Sequence, residues 1–178
     1  GEMRQLASHD ALGATVEDYF SLCDCKTASL MSAACELGAL VGRSEYREAL
    51  GGYGHDLGMA FQIVDDLLDY TVSSEVTGKP HGLDLKEHKV TLPLIAALPR
   101  LSTADRRTVD ELFADPSPAD DHVDEVIDLV RDASGLEEAR KTARSYATSA
   151  IRHLDALPDD PAVEILRSTV EFVLERQK

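Results

Sequence analysis

The residues best equipped for chemistry lie between Gly58 and Ile95, and at their centre stands Asp65-Asp66-Leu67-Leu68-Asp69. Placed on a helix at about 100° per residue, Gln62, Asp65, Asp66 and Asp69 share one arc roughly 100° wide. Phe61, Ile63, Val64, Leu67 and Leu68 take the rest of the circumference. Carboxylates that close repel one another, and burying them unpaired is very costly. A cation relieves both problems. An all-oxygen donor set with few protein ligands suits a hard divalent ion such as Mg²⁺, which keeps room for water and phosphate oxygens. A solvated acidic surface is the plainer reading of such a cluster. Against it stand the complete apolar flanks and the lysines that follow, Lys79, Lys86 and Lys89.

Those lysines sit on a long loop, Thr71 to Lys89, with turns set by Gly78, Pro80 and Gly82. Loops of this length in a compact domain are often functional lids. Lysines there are either solvated or matched to an anion brought in by the metal. The aspartate helix itself starts at Ser44 or Glu45 and ends near Tyr70. Gly51, Gly54 and Gly58 project onto the same stripe as the aspartates, and each glycine costs a helix about 1 kcal/mol relative to alanine. Either a second helix packs closely against that stripe, or the stripe leaves a cavity open above the carboxylates.

Upstream, Thr15 reads as an N-cap with Glu17 and Asp18 in the first turn, opening a helix that runs to about Val41 and ends at Gly42. Lys26, Leu30, Ala33 and Leu37 lie on one side of it. A lysine ending an apolar stripe either snorkels to solvent or reaches a bound anion. Downstream, helices are expected over Thr103–Ala114, Ala119–Ala133, Leu136–Leu157 and Ala162–Gln177, separated by Pro116-Ser117-Pro118, Gly135 and Pro158–Pro161. Leu136, Ala139, Ala143, Tyr146, Ala147, Ala150, Ile151 and Leu154 form a continuous apolar stripe. Asp120-Asp121 and Asp159-Asp160 read as solvated caps. No alternating strand pattern occurs, so the expected fold is all-α.

With 178 residues, 43% of them hydrophobic, the chain can bury one core, most simply as a single domain over 1–178. A net charge of −15 argues against nucleic acid and anionic membrane surfaces as partners. No window approaches the ~20 apolar residues of a membrane span, and the first residues do not read as a signal peptide. Cys23, Cys25 and Cys35 lack C-x-x-C spacing and read as reduced thiols of a cytoplasmic protein. The histidines show no metal-ligand spacing, and no Ser/His/Asp or Cys/His nucleophile arrangement is present.

Several spaced motifs carry a family resemblance. Phe61-Gln62-x-x-Asp65-Asp66-x-x-Asp69, then Gly78-Lys79-Pro80, Gly82-x-Asp84 and Lys89-x-Thr91-Leu92-Pro93-Leu94, resemble the second aspartate-rich motif of the trans-isoprenyl (polyprenyl) diphosphate synthases. Lys26-Thr27-Ala28-Ser29-Leu30 and Glu36-Leu37-Gly38-Ala39 resemble the same family in the expected order. The resemblance runs from Gly1 to about Ile95; beyond that the helical pattern is compatible. His88 departs from it, standing where the family usually has glycine, which puts the local turn in doubt.

The resemblance implies an isoprenoid-synthase-like helical bundle and a reaction joining isopentenyl diphosphate to an allylic diphosphate. It assigns Mg²⁺ to Asp65 and Asp69, with Asp66 holding the metal or its waters. It assigns diphosphate contacts to Lys26, Lys79 and Lys89, assisted by Gln62 and Thr27. It also implies a homodimer. The family has a first aspartate-rich motif followed by arginines, and neither is recognisable in this chain, which matches the C-terminal half. The expectation is a chain inactive alone, either part of a longer synthase or one piece of a split enzyme. A non-catalytic subunit pairing with a complete synthase is an alternative, and a terpene cyclase a poorer one. Wide apolar faces at Phe61, Ile63, Val64, Leu67 and Leu68, and at Leu30, Ala33 and Leu37, are expected to need a partner.

Overall fold

A computed structural model describes residues 11–71 and 81–176, and among these the secondary structure is helical, without strands. The loop residues 72–80, Lys79 among them, therefore lie outside the described residues. The elements are α1 (Val16–Cys23), α2 (Ser29–Val41), α3 (Arg47–Thr71), α4 (Leu83–Lys86), α5 (Leu92–Ala97), α6 (Thr103–Ala114), α7 (Asp120–Asp132), α8 (Gly135–His153) and α9 (Pro161–Glu175).

The chain enters α1 through a capping box. Thr15 Oγ1 accepts from the Asp18 amide at 3.1 Å, and the Asp18 carboxylate accepts from the Thr15 amide at 3.0 Å. α1 and α2 form one rod as expected, but a π-helical turn, Asp24–Ala28, joins them. Gly42 caps the far end, its amide bonded to Gly38 O at 3.1 Å. Ser102 and Asp160 cap α6 and α9 in the same way as Thr15, through their side-chain oxygens.

α3 is the central element. It packs against α2 on one side and α8 on the other, with α9 and α5 closing further contacts. Tyr53, Met59, Ile63, Val64 and Leu67 are almost wholly buried along it. Burying a residue such as Leu67 contributes about 2–3 kcal/mol. From α8 come Leu136, Ala139, Ala143, Ala147 and Ala150, the stripe read from the sequence, and from α7 come Val123, Val126, Ile127 and Val130.

The glycine stripe of α3 faces a helix, which settles the alternative in favour of close packing. A Cβ on Gly54 would lie 2.6 Å from the Met31 carbonyl oxygen, and one on Gly58 would lie 2.6 Å from Ala28 Cα. The absence of side chains lets the rod's backbone approach the aspartate helix.

Of the two apolar faces expected to need a partner, the one on the aspartate helix is corrected and the one on the rod is uncovered as expected. Ile63, Val64 and Leu67 are covered within this chain, so that face needs no partner. On the rod, Leu30 and Leu37 face outward, 73% and 62% exposed, while Tyr19, Cys23, Ala28 and Ala39 face the core.

Candidate active site

The rod and α3 meet along a line of hydrogen bonds. The π-helical turn brings Thr27 to α3, where its hydroxyl donates to Gln62 Oε1 at 2.8 Å. Gln62 Nε2, one turn before Asp66, donates to Asp66 Oδ1 at 2.8 Å. Tyr19 of α1 donates its phenol hydrogen to Asp66 Oδ2 at 2.6 Å. Both oxygens of Asp66 are thus engaged from opposite sides.

Asp69, one turn further, organises the chain that returns from the loop. Its carboxylate accepts from the amides of Leu83 and Asp84, at 3.0 and 2.9 Å, and its carbonyl takes the Gly82 amide at 2.8 Å. Gly82 has φ +69°, a conformation that favours glycine, and a Cβ there would meet Val123 Cγ1 at 2.3 Å. These bonds set Asp84, whose Oδ1 accepts from Lys89 Nζ at 3.2 Å. His88, the departure from the family pattern, adopts φ +54° where glycine would be unstrained. Its Nε2 hydrogen bonds the Asp115 carbonyl oxygen at 2.9 Å and its ring packs on Phe113.

A cleft opens over this framework, lined by Tyr19, Leu22, Cys23, Lys26, Gln62, Asp66, Asp84, Lys89, Val90 and Thr91. Burial pushes Asp66 up to about 7, against the Tyr19 hydrogen bond; Asp84 raises it further, and Gln62 and Lys26 oppose. Burial likewise raises Asp69. Charged carboxylates are therefore disfavoured here, despite the donors that reach them, until a cation arrives. Lys26 is exposed at the rim and makes no ion pair among the described residues.

The structure brings Lys26, Gln62, Asp66 and Lys89 into one cleft, with Thr27 joined through Gln62 and Asp69 beneath. Asp65 points elsewhere, half exposed and 3.5 Å from Arg176 Nη2, whose guanidinium covers the Phe61 ring. Lys86 turns away from the cleft to pair with Asp120, so it is not among the cations there. Sequence reasoning gave no site role to Tyr19, nor to Asp84 and Thr91, which it named only within motifs. For Asp84 the signal was present, a carboxylate between Gly82 and Lys89; for Tyr19 it was only a spacing of seven, two helical turns before Lys26.

Among the described residues no three His, Cys, Asp or Glu side chains converge on a point that could hold a metal ion. The donors present, carboxylates and a carboxamide, still fit Mg²⁺ held by one or two protein oxygens and completed by a ligand.

The pattern of the polyprenyl synthetase family matches residues 1–130. The chain belongs to that family. It is 34% identical over 181 residues to solanesyl diphosphate synthase 2, chloroplastic, of Arabidopsis thaliana, covering 99% of this chain and 42% of that protein. With the geranylfarnesyl diphosphate synthase of Natronomonas pharaonis it shares 37% identity, over 91% of this chain and 46% of the other. Among solved structures it superposes on a decaprenyl diphosphate synthase from Rhodobacter capsulatus with a TM-score of 0.90 at 35% identity, covering 99% of this chain and 55% of that one. A polyprenyl synthase from Caulobacter crescentus, crystallised with calcium and isoprenyl diphosphate, gives 0.91 at 31% identity with coverage of 99% and 55%. The chain thus spans about half the length of the relatives it matches, and its all-α architecture is that of the isoprenoid synthases.

Proposed function

We propose that this chain forms part of a prenyltransferase that joins isopentenyl diphosphate to an allylic diphosphate, assisted by Mg²⁺. The observation that carries this reading is the cleft itself: Asp66, Lys26 and the paired Asp84 and Lys89 line one space together with the apolar Leu22 and Val90. Such a site holds a polyanion only together with a cation. Asp66 and Asp69 are the residues that would hold Mg²⁺, with Asp84 beside them; Asp65 would join them only by leaving its pair with Arg176. Bound there, the ion supplies charge neutralisation to a departing diphosphate.

The chain's own residues do the rest. Lys26 and Lys89 bind diphosphate oxygens and orient the leaving group, with Lys79 on the loop as a third cation. Gln62 and Thr27 hold the cleft wall in place. Leu22, Cys23 and Val90 keep water from the allylic end, where it would quench a carbocation. The proton lost after carbon–carbon bond formation is assigned to no residue.

Exposed apolar side chains favour a partner that completes the site. Leu30, Leu37, Leu40 and Val41 on the rod, with Ile165 and Phe172 on α9, are 49–90% exposed. Monomers rarely leave such surface uncovered. We assign it to a polypeptide carrying the first aspartate-rich motif, within a homodimer of complete subunits. All three cysteines are free, which fits a reducing cytoplasmic setting.

A radiolabelled isopentenyl diphosphate assay tests the reading. The 178-residue chain alone is expected to give no prenyl transfer. Adding a polypeptide with the first motif and its arginines restores it, and Asp66→Ala abolishes the restored activity. Substantial turnover by this chain alone would overturn the need for the other half. No turnover in any combination would overturn the reaction.

A further inference from the structure

The cleft rests on a run of hydrogen bonds that starts on another element. Tyr19 is only 3% exposed, so its hydroxyl must find its partner inside the protein. It finds Asp66 Oδ2. The remaining oxygen of Asp66 then faces Gln62 Nε2, and the Gln62 carbonyl oxygen faces Thr27.

Every link is directional. An ionised carboxylate only accepts, while the Gln62 amide has one donating and one accepting end. Tyr19 and Gln62 hold the carboxylate from its two sides, and that orientation turns the amide so that its carbonyl meets the Thr27 hydroxyl. Without the phenol hydrogen, Asp66 is free to rotate. Gln62 then loses its fixed sense, and Thr27 loses the acceptor that ties the π-helical turn to α3. Packing does not require the hydroxyl, since phenylalanine fills nearly the same volume.

We propose that Tyr19 is a positioning residue: its hydroxyl, acting through Asp66 and Gln62, sets the π-helical turn that holds Thr27 on Gln62 and presents Lys26 to the cleft. The value of that positioning for diphosphate binding rests on the function proposed above.

The test uses the whole chain with Tyr19→Phe, Thr27→Val and the double variant, and Thr15→Ala as a control that weakens α1 only at its cap. Amide exchange is read across Asp24–Ala28 in the free protein. Affinity for inorganic pyrophosphate with Mg²⁺ is read by calorimetry. Tyr19→Phe and Thr27→Val should each speed exchange in the turn, and weaken pyrophosphate binding, by about tenfold, the scale of one lost buried hydrogen bond. The double variant should be no worse than the poorer single one, whereas unlinked sites would add. Thr15→Ala should lower the melting temperature yet leave both readouts within about twofold of wild type, because end effects fade within a turn.

Unchanged exchange in Tyr19→Phe, additive effects in the double variant, or the same changes in Thr15→Ala would overturn the proposal. If wild type fails to bind pyrophosphate while exchange in the turn responds as expected, the positioning role is supported and the diphosphate reading falls. If pyrophosphate binds wild type and Tyr19→Phe equally, the positioning role falls and the diphosphate reading stands.

Discussion

Cys23 and Cys25 lie two residues apart on the rod, one buried in the cleft wall and the other exposed. Burial pushes the Cys23 thiol up from 9.0 to about 12, with the Tyr19 hydrogen bond opposing the rise. Only the thiolate alkylates, so at pH 8 Cys23 has far less of the reactive form than an ordinary thiol, and raising the pH increases its rate. Iodoacetamide followed by peptide mass mapping should find Cys25 modified first. Rapid labelling of Cys23 in the folded protein at pH 8 would contradict its burial. The residues of the candidate site were legible wherever charge stood out against an apolar background, as with Asp66, Lys26 and Lys89, which line one cleft. Tyr19 was not, because a buried tyrosine and a tyrosine aimed at a carboxylate have the same sequence signature.

The long helices were read nearly to their ends, since Thr15, Gly42 and the proline breaks act locally, whereas the short α4, inside the expected loop, and α5 were not read. What escaped was the fit between elements. Gly54 and Gly58 could equally have marked a cavity, and only the approach of Met31 and Ala28 decides it. Gly58→Val should therefore cost about 2–3 kcal/mol in urea unfolding, because backbone cannot yield as a side-chain tip does. A loss below half a kilocalorie would mean that the rod sits less closely. His88 makes a second test. Its φ of +54° is strained for a side-chain residue, while its ring holds Asp115 and Phe113. His88→Ala keeps the strain and loses the ring, so His88→Gly should be more stable than His88→Ala by about 1 kcal/mol. The reverse order in chemical denaturation would show that the ring contacts leave no strain to relieve.

For the molecule as a whole, charge and apolar surface pull in opposite directions. A net charge of −15 disfavours association, yet Leu30, Leu37, Ile165 and Phe172 remain more than 60% exposed. Sedimentation in 0.5 M salt, where repulsion is screened, should show self-association by the 178-residue chain, and Leu30→Glu with Leu37→Glu should shift it towards monomer. A strictly monomeric wild type would argue that the surface has no partner. The sequence foresaw an uncovered face but placed part of it wrongly on the aspartate helix. Whether a stripe meets solvent depends on which elements are present to cover it, and periodicity carries no information about that.

The π-helical turn can also be seen as one residue more than a straight helix needs. The core-facing positions Tyr19, Cys23 and Ala28 are spaced four and then five apart. A five-residue step in an ordinary α-helix would throw Ala28 about 140° off the stripe, whereas the wider turn brings it back into phase. Deleting the exposed Cys25 would restore a spacing of four and four, so the core should survive a deletion that most helices would not tolerate. The bulge that carries Lys26 and Thr27 would vanish with it. A shortened chain of this kind should keep cooperative thermal unfolding and lose pyrophosphate binding, showing an insertion retained for the ligand and dispensable for the fold.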